Sequence, residues 1–164
     1  MKKHLKRFML GLVAGLSMVG TSHAAVTTAT FQVRMTIQAD CRIVSASDLD
    51  FGTSGVISAN VDVNSTLNVQ CTNTTPYNIR LNAGTGAGAT VAARLMTLSG
   101  ATIQYSLYTT AARATVWGET IGTDTVAAVG NGASQVHTIY GRVPPQTTPA
   151  PGLYTDTVTV TVTF

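Results

Sequence analysis

The chain has 164 residues, 45% of them hydrophobic and only 10% charged, with two cysteines and three histidines. Its formal net charge is +3, but four of its ten basic residues lie within the first seven positions. Apolar content this high excludes a disordered polar tail. With the N-terminal basic cluster set aside, the charge also excludes a nucleic-acid footprint.

The opening, MKKHLKRFMLGLVAGLSMVGTSHA, has the parts of a secretory signal over residues 1–24. Lys2, Lys3, Lys6 and Arg7 form a positive head, and Phe8 to Gly20 form an apolar core too short to span a bilayer comfortably. Ser22 and Ala24 are small residues suited to a cut before Ala25. The mature chain then keeps six arginines, no lysine and seven acids, a net charge of −1. The basic character belongs to the export tag. The remaining 140 residues, 164 less 24, suffice for one domain with its own core.

The first strand pattern follows at once. Phe31, Val33, Met35 and Ile37 alternate with Gln32, Arg34, Thr36 and Gln38. Strict alternation predicts a strand with one apolar and one polar face. Each apolar side chain is worth about 1.5–3 kcal/mol when buried, so this face needs a partner. That partner is either the chain's own sheet or the sheet of a neighbour, by strand addition. A head-to-tail exchange of the second kind does not close and builds a filament. The residues alone permit both.

Cys41 and Cys71 come next. In an exported protein an even pair favours a disulfide over a metal site. Closing a loop of about 30 residues stabilises by roughly 3–4 kcal/mol in the chain-entropy model. The arm before Cys41 lies outside that loop. Further period-two runs are Leu67, Val69 and Cys71; then Tyr77, Ile79 and Leu81; then Ile103, Tyr105 and Leu107. The last is Tyr154, Asp156, Val158, Val160, Val162 and Phe164. Turn-rich segments separate them, at residues 50–52, 73–76, 82–88, 130–132 and 144–152. Many short strands rich in Thr and Val predict an all-β sandwich or barrel. No helical period, internal repeat or interior domain boundary stands out.

The candidate chemical sites are weak. Gly84 to Ala89 fits the letters of a dinucleotide fingerprint, but no helix pattern follows it, so a small-residue loop is expected. His137, the only histidine beyond residue 25, has no nucleophile pattern nearby and is expected as a solvent-facing strand residue. Asp48 and Asp50 suit turn chemistry, and the lone Trp117 suits core packing. Asn64 and Asn73 begin glycosylation sequons that carry little weight in a Thr-rich chain. No catalytic constellation is present, and neither an enzyme nor a cofactor is expected.

Four stretches carry a family resemblance: Phe31 to Cys41, Leu49-Asp50-Phe51-Gly52, Val69-Gln70-Cys71, and the ending Gly152 to Phe164. Together they resemble the spore coat protein U domain family, which includes subunits of archaic chaperone–usher pili. The resemblance implies an immunoglobulin-like β-sandwich lacking its final strand. It also implies a periplasmic chaperone that lends a strand, and an outer-membrane usher where the N-terminal arm of the next subunit replaces it. Carried onto this chain, the donor arm is residues 25–38, with Phe31, Val33, Met35 and Ile37 as its plugs. The sandwich body is residues 39–164, and Val158, Val160, Val162 and Phe164 edge the acceptor groove. The implied product is a surface fimbria supporting adhesion or biofilm formation. A spore-coat structural protein and a self-contained secreted adhesive or carbohydrate-binding module are the alternatives. Phe164 departs from the classical pilus families, whose terminal strand ends with its aromatic next to last.

Overall fold

The computed structural model describes residues 20 and 23–164. The expected signal therefore lies outside the described residues, apart from Gly20, His23 and Ala24. The chain divides into two units, residues 1–35 and 36–164.

The second unit is an all-β sandwich. Its strands are β1 (Cys41–Ala46), β2 (Val61–Cys71), β3 (Pro76–Leu81), β4 (Arg94–Leu98), β5 (Ala101–Tyr108), β6 (Val126–Val129), β7 (Ser134–Val143) and β8 (Val160–Thr163). One sheet has the order β1-β2-β7-β5-β4, the other β6-β3-β8, and every pairing is antiparallel. The central seam is β2 on β7, ten residue pairs from Val61↔Val143 to Gln70↔Ser134.

The alternation read from the sequence decides which face is buried. Leu67, Val69 and Cys71 point inward from β2, and Tyr77, Ile79 and Leu81 from β3. Tyr105, Leu107, Ile139 and Val143 complete the layer between the sheets. Trp117, from the segment after β5, is 1% exposed and fills its centre. Its indole N–H donates to Ile79 O at 2.9 Å, which satisfies the one polar atom of the ring. Cys41 and Cys71 face each other in register on β1 and β2 and form the disulfide. The Leu49–Gly52 segment turns sharply. Gly52, at φ +74°, donates its N–H to Asp50 Oδ1, an Asx turn that any Cβ at Gly52 would strain.

Three expectations need correction. Residues 28–38 carry no strand, although their alternation is that of one. Their backbone has no ladder partner here, and periodicity alone cannot supply one. The terminal run forms a strand only from Val160 to Thr163, paired with Asn78 to Leu81 of β3, because its earlier part turns to the other sheet, where Thr155 bridges Thr97 of β4. His137 is not solvent-facing. It lies half-buried on β7, with its Nε2 2.9 Å from Tyr77 Oη, because Tyr77 from the facing sheet reaches it. Its ring meets the Tyr77 ring edge-on at 5.9 Å, and burial pushes its pKa down.

Candidate functional site: an open strand edge and an N-terminal arm

β8 has a hydrogen-bonded neighbour on one side only, β3, and β1 likewise ends its own sheet. The two edges come together along one side of the sandwich. Val160 and Val162 oppose Leu81 and Ile79 in register, and with Val158 they pack half-buried against the core. Phe164, beyond the ladder, is 57% exposed. On β1 a bulge between Ile43 and Ser45 breaks the register, and Ile43 and Val44 are both exposed. The result is an apolar strip flanked by free backbone donors and acceptors, the arrangement that templates strand addition.

The ends of this strip differ. At the Phe164 end, a recess of about 370 Å³ is lined by Ile37 to Ala39, Thr72 to Pro76 and Phe164. At the other end, a cleft of about 780 Å³ opens among Leu49, Phe51, Ile57, Met96, Ile103 and Leu153. Among the described residues, Asp50 is the only charged one lining that cleft. β1 thus begins where β8 ends, and the two edges run antiparallel.

Two polar locks hold the approach to β8. Asp156 accepts from Thr85 N (2.7 Å), Thr85 Oγ1 (2.9 Å), Tyr105 Oη (2.7 Å) and Thr157 N (2.7 Å). Burial pushes the Asp156 pKa up, but the hydrogen bonds from Thr85, Tyr105 and Thr157 outweigh it and hold the carboxyl below its usual range. Burial, then the bond to Asp156, drives the Tyr105 hydroxyl far upward. Gly84, at φ +83°, lies so close that a Cβ there would strike the Asp156 carboxylate. The second lock is Arg94, wholly buried and donating to four carbonyls: Asn82 (2.8 Å), Val91 (2.8 Å), Leu81 (3.0 Å) and Trp117 (2.7 Å). Its charge is spread over backbone dipoles instead of a carboxylate, and burial lowers its pKa.

The sequence signal for Asp156 was present: a lone acid on the apolar face of the terminal run. Arg94 had no such signal, because its acceptors are backbone groups brought together only by the fold. Among the described residues no three His, Cys, Asp or Glu side chains gather as a metal site would require. Gly84 to Ala89 is a loop with no helix after it.

The arm residues belong to no strand. Phe31 is 87% exposed, Val33 and Met35 85%, and Ile37 68%. Large apolar side chains left this wet in a row mark an unfinished contact.

The family model described as Spore Coat Protein U domain matches residues 27–161. Among curated proteins, Protein U of Myxococcus xanthus is 33% identical over 177 residues, covering 98% of each chain. Among solved structures, the chain is similar to one in the CsuC–CsuE chaperone–tip adhesion subunit pre-assembly complex from archaic chaperone-usher Csu pili of Acinetobacter baumannii. There the identity is 27% and the TM-score 0.58, over 79% of this chain and 40% of that one.

Proposed function

Because the chain belongs to the Spore Coat Protein U domain family, we propose that it is a structural subunit of a surface pilus assembled by donor-strand exchange. In this reading residues 1–24 direct export, residues 25–38 are the donor arm, and residues 39–164 are the sandwich that accepts an arm. In the three-stranded sheet β6-β3-β8, β8 is an edge, and in this reading a donated strand flanks it. A periplasmic chaperone supplies that strand first, and the arm of the next subunit replaces it at an outer-membrane usher. The fibre serves adhesion or biofilm formation, and the chain performs no catalysis.

One pairing of observations carries this reading. The β8 edge offers free backbone above half-buried Val158, Val160 and Val162, while Phe31, Val33, Met35 and Ile37 lie exposed at the alternation a strand needs. Direction follows from the ends of the strip. Ile37 to Ala39 leave the body beside Phe164. A subunit arriving in line must therefore have the base of its arm at the opposite end, by Leu49 and Phe51. The incoming arm then runs antiparallel to β8.

The test compares the full mature chain with one lacking residues 25–38, on unboiled SDS gels after export with a candidate chaperone. A multimer ladder that requires the arm, together with a truncated body that still binds the chaperone, supports the proposal. A full chain that runs as a stable monomer overturns it. That outcome would favour a self-contained secreted module, while the family description keeps a coat-type structural protein as the other alternative.

A further inference from the structure

Within the donor-strand reading, on which this inference rests, we infer that Arg34 of an incoming arm pairs with Asp50 of the receiving body and sets the depth of insertion. Two independent matches point there. The first is size. The inward face of the arm reads Ala25, Thr27, Ala29, then Phe31, Val33, Met35, Ile37: small residues first, large residues last. The two recesses differ in the same sense: about 370 Å³ beside Phe164 and about 780 Å³ among Leu49 and Phe51. An arm running antiparallel to β8 brings its large residues to the large cleft.

The second match is charge. Arg34 is the only charged residue from 25 to 39, and among the described residues Asp50 is the only charged one lining the cleft. Arg34 lies on the polar face of the arm, and in the free chain it donates to Gln32 Oε1. Asp50 is exposed, and its Oδ1 accepts from the Gly52 N–H. Of the acids nearby, Asp156 already accepts four hydrogen bonds, and Asp48 does not line the cleft. A slip of two residues keeps every apolar side chain on the inward face but moves Arg34 by about 7 Å. Alternation alone therefore leaves depth unspecified, and the ion pair specifies it.

The experiment follows regrowth of the SDS-resistant ladder by the full mature chain after denaturation with its disulfide intact. It is run at about 0.01 M and about 1 M salt, where screening lengths are roughly 30 Å and 3 Å. Variants are Arg34→Gln, Asp50→Asn, the double variant, and Asp48→Asn as control. Asp50→Asn keeps the side-chain oxygen that closes the Gly52 turn, so folding is preserved. Each single neutralisation is expected to slow low-salt assembly about two- to fivefold, with little effect at high salt. The double variant should be no slower than either single one. If the two losses multiply, or if Asp48→Asn replaces Asp50→Asn in the cycle, the pairing is wrong. A ladder that forms without residues 25–38 sinks the donor-strand reading itself. A ladder that needs the arm but ignores Arg34 and Asp50 overturns only this inference.

Discussion

Truncating the largest plug separates assembly from folding. In Phe31→Ala the lost side chain is 87% exposed in the chain itself, so the body should melt unchanged. In the fibre the same side chain would be buried, and its removal costs about 2–4 kcal/mol once the residual cavity is included. At 1.4 kcal/mol per tenfold, the exchange equilibrium weakens by roughly 30- to 1,000-fold. The four plugs together contribute at most about 6–12 kcal/mol, so one substitution removes a large share of the grip. The assay is the temperature at which the ladder dissolves on SDS gels, read beside the emission of Trp117, the chain's single tryptophan, buried at the centre of the body. Gln32→Ala, on the polar face, serves as the control and should leave both readouts in place. The reasoning is refuted if Phe31→Ala leaves the ladder intact, or if it lowers the melting of the body as much as that of the fibre.

Asp156→Asn should destabilise the body by about 2–4 kcal/mol in urea titrations, since the carboxylate accepts four hydrogen bonds near β8. The Asp156 pKa in the folded chain lies below its unfolded value of about 3.9. Its contribution is therefore full above that value and lost as pH falls through the folded one, so the variant should flatten the acid limb below about pH 4. At His137 burial itself pushes the pKa down, so its contribution is full above about pH 6.5 and lost as pH falls through the folded value. His137→Gln should accordingly lose the stability change measured in urea between about pH 6.5 and pH 5, and an unchanged slope would assign that change to other groups. Replacing Cys41 and Cys71 by serine should lower denaturant stability by roughly 3–4 kcal/mol, because the bridge closes a 30-residue separation.

Much of the fold was legible because a period of two states directly which side chains share a face. Leu67 with Val69, Ile79 with Leu81, and Tyr105 with Leu107 were placed inward by alternation, and the two sheets bury them. Asp50 was read as a turn residue and closes a turn. The disulfide followed from an even cysteine count in a chain expected to be exported. Strand partners were not legible. His137 looks solvent-facing in its own strand, and only the arrival of Tyr77 from the facing sheet half-buries it.

The sequence by itself determined the class, the buried faces and an arm whose apolar side has no partner within its own span, since all of these are local periodicities or counts. The tertiary structure alone decided that β8 ends its sheet, that β1 lies beside it, and that a smaller recess opens by Phe164 and a larger one by Phe51. It alone gathered the carbonyls of Leu81, Asn82, Val91 and Trp117 around Arg94. The physical reason is common to all of these. An edge, a groove and a buried cation are defined by which distant segments stand next to each other, and a one-dimensional pattern specifies what a strand can bury without specifying which strand lies alongside it.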